Sequence, residues 1–287
     1  MTHLSVLIDS DRVLITQLTP LASGFSIAKL ESIHAPANIY QEILDKGDPK
    51  HLAECSKLLA DTLNAYPQTD VSVCLNLTGV KSLVACFNRN LNEAEFQEEC
   101  TREAEAFLRD CDEYEIETVK FADEPNLPFE KHLLFFVPKR FLTRLQMLLL
   151  PSGKNIVLVE LSHVAIQSLY GAMPELVVLE LSEAYLSISK LTHGAPILFR
   201  YWTLETETDI AYFVANELKA LGGKSPVSLF GKLINENLLG FIQDTTGVVV
   251  QPALLPDGFS VQSAWKKELP LLLPLFGCAM KAAEFAE

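Results

Sequence analysis

Between two short apolar runs, LSVLI and RVLITQL, the chain places Asp9, Ser10, Asp11 and Arg12 in a tight polar turn. A turn that grips a phosphate presents backbone N–H groups at close range. That approach excludes a Cβ and favours positive φ, so glycine is the residue that meets the need. This turn offers two carboxylates instead. Other constellations are equally lean. The six cysteines, Cys55, Cys74, Cys86, Cys100, Cys111 and Cys278, contain no C-x-x-C pair, and the six histidines contain no H-x-x-x-H or H-E-x-x-H. A metal site wants closely spaced ligand pairs, so the thiols read as free and mostly buried and the histidines as surface or satisfied core residues. No G-x-S-x-G elbow and no G-x-G-x-x-G is present. The carboxylates Glu93, Glu95, Glu98, Glu99, Glu103 and Glu105 lie along one helical stretch and read as its solvated face. GGKS at 222–225 has the ending of a phosphate loop, but the first Gly of that motif would fall at Leu218, inside a helix. Pro226 also follows where a helix should begin, so a helix stop is the better reading.

The elements that position these residues follow from pattern. With 287 residues, 49% of them apolar, the chain suits one large domain or two coupled lobes. A formal charge of -14 argues against nucleic acid, whose phosphates need clustered Lys and Arg, and against an anionic bilayer surface. The start, MTHLSVLID, is a strand pattern broken at Asp9 rather than a signal peptide, and LPLLLPLFGCAM is too short to span a bilayer; a cytoplasmic protein is expected.

Three strands are predicted first: LSVLI, RVLITQL, and FSIAKLESI after Ser23-Gly24. A helix follows, capped by Asp48 with Pro49 at its first position and Leu52, Cys55, Leu58, Leu59 and Leu63 as its stripe. VSVCLNL, from Val71 to Leu77, is a buried strand. The same order returns after Pro174: strands ELVVLELS, EAYLSISKL and PILFRYW, a helix over 205–221 stopped by Gly222, a strand SPVSLFG, and a helix over about 233–246. Between the halves lies a small α+β segment. It opens on LNEAEF, where Asn92 and Glu95 form a capping box and Leu91 can staple to Phe96. The polar loop from Asp123 to Pro128 leads to a strand, KHLLFFVP, and a helix, KRFLTRLQMLLL.

Four stretches, RNLNEAEFQEECTREAEAFL, KHLLFFVPKRFLTRLQMLL, NIVLVELSHVAIQSLYG and LVVLELSEAYLSISKLTHGAPILFR, resemble segments of the PilM-type pilus-assembly proteins of the actin-like ATPase superfamily. GspL-type and FtsA-type proteins stand further off. The resemblance spans almost the whole chain and rests on hydrophobic pattern and element order. It implies an α/β, actin-like (RNase H-like) fold with two similar βββαβ-containing halves. The first half would comprise 1–78 plus 156–173, with the insertion at 79–155, and the second half 174–287.

The superfamily binds ATP between its halves through three glycine-dependent loops. Against the first, D-x-G, Asp9 matches the acid, Ser10 follows, and Asp11 falls where the Gly should be. A carboxylate there repels phosphate by about 1 kcal/mol or more at ~4 Å. Against the second, D-x-G-G/A-x-x-T, Glu180 stands for the acid and Ser182 for the first Gly. Glu183, Ala184 and Tyr185 follow, a carboxylate and a ring across the phosphate approach. The third, S-G-G, becomes Phe230, Gly231 and Lys232. The expectation is a vestigial nucleotide cleft at Asp9, Ser10, Asp11, Glu180, Ser182, Gly231 and Lys232, with no catalysis, no cofactor and no metal.

By resemblance the partner is the N-terminal cytoplasmic tail of a PilN-like inner-membrane protein, docked between the first half and the insertion. That partner would recruit the chain to the inner membrane, and rings or filaments of the chain would form with it. The tail of the chain shows no clear basic amphipathic helix for direct membrane attachment. Two alternatives remain open at this level: a genuine ATP- and Mg²⁺-binding assembly ATPase, and a free-standing regulatory or polymerising actin-like protein.

Overall fold

The computed structural model describes residues 2–22, 24–76, 78, 80–124, 126–221 and 227–284. The GGKS reading at 222–225, the stop at Gly222, Pro226, and the single positions Ser23, Leu77 and Gly79 lie outside the described residues.

β1 (His3–Ile8), β2 (Arg12–Leu21) and β3 (Gly24–His34) form an antiparallel meander. Every residue of β1 after His3 except Ser5 is apolar, because the strand sits inside the sheet and is covered on both faces. A π-helical turn, Ile39–Asp45, follows; it was not foreseen, and it buries Ile39, Tyr40, Ile43 and Leu44. α1 (Pro49–Leu63) starts where expected: the Asp48 carboxylate accepts from the amides of Lys50 and His51. The crossover returns β4 (Asp70–Leu75) parallel to β1.

The inserted segment is β5 (Lys81–Asn88), α2 (Glu93–Phe107), β6 (Tyr114–Lys120) and β7 (Phe129–Pro138), with both outer strands antiparallel to β7. β5 and β6 were missed because exposed polar positions interrupt their short runs, leaving only Ala85 and Phe87 buried in β5 and none in β6. The capping box of Asn92 and Glu95 forms on α2, and Arg102 pairs with Glu98 and Glu99 on its outer side. One face of this sheet packs under α2 through Phe87, Leu134 and Phe136; the other sends Leu133, Phe135 and Val137 into the core of the first lobe. α3 (Lys139–Leu149) adds Phe141, Leu145, Leu148 and Leu149 to that same core. Each such fully buried side chain contributes roughly 1.5–3 kcal/mol.

β8 (Asn155–Leu161) then pairs parallel to β4 and closes the first sheet in the order β3-β2-β1-β4-β8. α4 (Ser162–Leu169) leads to the second sheet. Its strands are β9 (Leu176–Leu181), β10 (Tyr185–Thr192) and β11 (Ala195–Thr203). After α5 (Glu207–Ala220) come β12 (Val227–Phe230), α6 (Glu236–Thr246) and β13 (Val250–Pro252). The order β11-β10-β9-β12-β13 repeats the first sheet strand for strand, so each half carries a fifth strand beyond the βββαβ expected. Val214 and Leu218 of α5 are buried against this sheet, with Ile210, Phe213 and Leu221 alongside.

The chain closes on α7 (Leu269–Glu284), a helix that runs straight through Pro274 and begins well before FGCAMKAAEF. α4 and α7 sit between the sheets in a core that takes Leu7 and Leu14 from the first and Val178 and Phe230 from the second. Their crossing is closed to the backbone: a Cβ on Gly277 would lie 1.9 Å from the Ala165 carbonyl oxygen. No helix among the described residues is long and apolar enough to cross a membrane. Cys55, Cys74, Cys100 and Cys278 are buried thiols, whereas Cys86 is exposed and Cys111 half-buried.

Candidate functional site: a cleft filled by its own ions and an open groove

Two amides of the β1–β2 turn are taken up within the turn itself. The Asp9 amide donates to the Arg12 carbonyl at 2.9 Å, and the Ser10 amide donates to Asp9 Oδ1 at 2.8 Å. The turn is held from behind, where Ile39 donates to the Ser10 carbonyl at 2.8 Å and Ala35 to that of Asp11 at 2.9 Å. Asp9 is 1% exposed, and burial raises its pKa.

Facing this turn from the second sheet is Lys232. Its Nζ lies 2.9 Å from Asp11 Oδ1, 3.3 Å from Glu183 Oε1 and 3.9 Å from Asp9 Oδ2. Partial burial works against the ammonium, yet the hydrogen bond to Asp11 and the charges of Asp9, Asp11 and Glu183 raise its pKa. Burial likewise opposes the Asp11 carboxylate, which Lys232 nonetheless holds below its usual range. Sequence reading placed Asp11 and Lys232 in one cleft but did not pair them, since 221 positions separate them.

Gly231 owes its place to packing. Its φ is 110°, and a Cβ there would stand 2.4 Å from the Leu181 carbonyl oxygen, so the loop lies directly on the end of β9. Its amide donates to the Pro270 carbonyl at 3.0 Å. Pro270 is four residues before Pro274, which has no N–H to offer, so the carbonyl that the helix leaves free is taken by the cleft loop.

The residues after β9 behave differently from expectation. Tyr185 does not stand across the cleft: it is fully buried, stacks on Tyr201 at 5.2 Å and donates its hydroxyl to Glu180 Oε1 at 2.6 Å. Ser182, 7% exposed, closes the β9–β10 turn by donating its amide to the Tyr185 carbonyl at 3.0 Å. Glu180, 2% exposed, accepts from Ser162 at 2.6 Å on the same oxygen as Tyr185, and from Ser187 at 3.4 Å on the other. His163 was expected to be a surface or satisfied core residue. It is instead buried among Phe135, Phe199 and Tyr201 with neither ring nitrogen hydrogen-bonded, and its Nδ1 is 3.7 Å from Glu180 Oε2. Burial lowers its pKa to about 3, so it offers Glu180 no positive charge.

With no cation beside it, Glu180 is pushed by burial up to about 7, against the hydrogen bonds of Ser162, Tyr185 and Ser187, and the charge of Asp9 pushes the same way. The sign follows from linkage. The folded state holds this proton more tightly than the unfolded chain, so the stabilisation is complete below the ordinary value of 4.5 and is lost as pH rises to about 7. Glu180→Gln cannot ionise. Melting temperatures measured across that window are expected to fall for the wild type relative to the variant; parallel curves would contradict the assignment.

A second feature was not anticipated as a set of residues. The edge strand β8, with α3 on one side and Glu117 of β6 beyond, borders an open groove of about 440 Å³. Leu142, Leu145, Ile156 and Leu158 line it, Val157 at its rim is 45% exposed, and Lys281 of α7 pairs with Glu160 along one wall. Burial raises the pKa of Glu117, and the charge of Glu160 adds to the shift. The mixed run NIVLVEL signals an edge strand in the sequence, but nothing there reveals that α3 leaves it uncovered.

No protein-family model and no curated protein sequence matches the chain. Solved structures do. A "PilM-PilN type IV pilus biogenesis complex" is 15% identical over 99% of this chain and 98% of that one, with a TM-score of 0.78. A Bacteroides thetaiotaomicron protein with an actin-like ATPase fold and unknown function is 11% identical over 100% and 96%, with a TM-score of 0.54. The chain has the actin-like ATPase fold. The cytoplasmic domain of EpsL, an inner-membrane component of the Vibrio cholerae type II secretion system, has the same fold at 10% identity over 100% and 96%, with a TM-score of 0.53. The sequence resemblance and the actin-like architecture therefore agree, and the cleft between the two sheets is the place where this fold brings Asp9, Asp11, Gly231 and Lys232 together.

Proposed function

We propose that the protein is a non-catalytic, actin-like scaffold of a bacterial envelope machine, a type IV pilus or type II secretion assembly. It acts by holding the cytoplasmic tail of an inner-membrane partner. The observation that carries this reading is the groove beside β8: an edge strand bordered by an apolar wall. An extended peptide can add to such an edge through main-chain hydrogen bonds while alternate side chains enter the groove. The groove lies between the first sheet and the inserted one, the position the sequence resemblance implies for a PilN-like tail. The likeness over both whole chains to a PilM–PilN complex supports the same assignment. The partner then recruits the chain to the inner face of the membrane. Non-catalytic character is supported by the cleft, where three carboxylates and one ammonium occupy the approach that a nucleotide needs.

The test uses synthetic peptides of the N-terminal cytoplasmic segments of the one-helix membrane proteins encoded beside this chain's gene. Fluorescence anisotropy is expected to give a micromolar Kd for one of them. Val157→Glu, a change at an exposed rim position, should weaken that binding at least about tenfold by placing a charge against an apolar tail. Absence of binding by every neighbouring tail, or binding untouched by Val157→Glu, would remove the docking reading and leave the fold.

A further inference from the structure

Two lobes joined through a crossing of helices can rock about that crossing unless something ties them on the open side. Two of the ties on the cleft side are ionic. Lys232, on the loop after β12, reaches Asp11 of the β1–β2 turn at 2.9 Å, and Arg12 of the same turn reaches Glu268, just before α7, at 3.7 Å. The first of these contacts runs directly from one sheet's loops to the other's.

The ammonium is also presented by a backbone with little freedom. Gly231 lies on the Leu181 carbonyl with no room for a Cβ, and its amide is fixed to Pro270. On the other side, Asp9 is 1% exposed and its Oδ2 has no hydrogen bond; it faces Lys232 Nζ and Arg12 Nε, each at 3.9 Å. A buried carboxylate oxygen without a partner is costly, and here two nearby cations offset it. Moving the lobes apart would withdraw Lys232 from Asp9 and Asp11, while Glu183, on Lys232's own lobe, would keep it. Two carboxylates therefore favour the closed arrangement.

We infer that Lys232 is an interlobe latch, an ammonium built into the second lobe beside Glu183 that holds the cleft closed by reaching Asp11 and Asp9 of the first. The closed state then needs no bound nucleotide. The latch weakens with ionic strength, because Asp11 is 55% exposed at the side chain and its pairing with Lys232 is screened by salt. It goes beyond the docking reading and rests on the cleft alone, so it stands whether or not a tail binds the groove.

The test is a distance distribution between spin labels on the two lobes in the full chain, without nucleotide. Labels go on Lys46→Cys and Asn237→Cys, both exposed positions, with Cys86→Ser and Cys111→Ser removing the accessible native thiols. At about 0.1 M salt the wild-type background should give one narrow distribution. Lys232→Met should raise the longer-distance population about fivefold, the scale expected for one partly exposed ionic cluster. About 1 M salt should move the wild-type background the same way and shift Lys232→Met much less, through the remaining Arg12–Glu268 pair alone. Asp11→Asn, at an exposed turn position that leaves the core intact, should open the cleft similarly. Combined with Lys232→Met it should add little, because both changes remove one contact. Identical distributions for the wild-type background and both variants at both salt levels would overturn the latch. Full additivity of the two substitutions would overturn it as well.

Discussion

Gly277→Ala should lower the stability of the protein by about 3 kcal/mol or more, the upper range for overpacking a buried position. In an ordinary helix the same change stabilises, because alanine loses less backbone entropy than glycine. The opposite sign is expected here because the added methyl would lie 1.9 Å from the Ala165 carbonyl oxygen and 2.6 Å from its carbon. These are backbone atoms of α4, so no side chain can rotate away. Ala165 and Phe276 are both fully buried, and the residues around them tie the first sheet to the second, so separating the two helices disturbs contacts with both lobes. Gly240, in α6, supplies the control, since it is exposed and a methyl added there would meet nothing within 4 Å. Gly240→Ala should leave stability unchanged or raise it by up to about 1 kcal/mol. Urea unfolding midpoints of the two variants measure the contrast directly; equal midpoints would mean that α4 and α7 can part at little cost.

Much of this fold was legible because local chemistry and tertiary need coincide. Asp48-Pro49 starts α1 and Asn92 with Glu95 starts α2, since a cap is satisfied within four residues. Apolar runs such as LSVLI and LVVLEL announce central strands because both faces are covered. What escaped depends on distant partners. β6 carries Glu115, Glu117 and Lys120 and is a strand because β7 pairs with it. α7 passes through Pro274 because the core around it supplies the stability, and the carbonyl the proline leaves free is satisfied by Gly231.

The same division holds for the site. The mismatch of Asp11, Ser182 and Lys232 with glycine-dependent loops can be read residue by residue. That Asp11 and Lys232 meet, that Gly231 serves packing, and that Tyr185 turns into the core cannot, because each depends on how two lobes close. Glu180 was read as a cleft acid, whereas its hydrogen-bond partners Ser162, Tyr185 and Ser187 belong to the buried junction.

Whether nucleotide can occupy the cleft decides between a scaffold and a working ATPase. A triphosphate entering it would meet Asp9, Asp11 and Glu183 and would have to take Lys232 from Asp11. Each like-charge encounter costs about 1 kcal/mol even in a water-like dielectric at ~4 Å. The amides of Asp9 and Ser10, which a phosphate loop would offer in return, are already bonded within the turn. The penalties are together large enough to move binding from the micromolar to the millimolar range, a difference of about 4 kcal/mol. The decisive measurement is a titration of the purified chain with a fluorescent ATP analogue and Mg²⁺. No saturable binding is expected up to about millimolar analogue. A micromolar Kd that disappears in Asp9→Asn would contradict the scaffold reading and make the cleft a working nucleotide site.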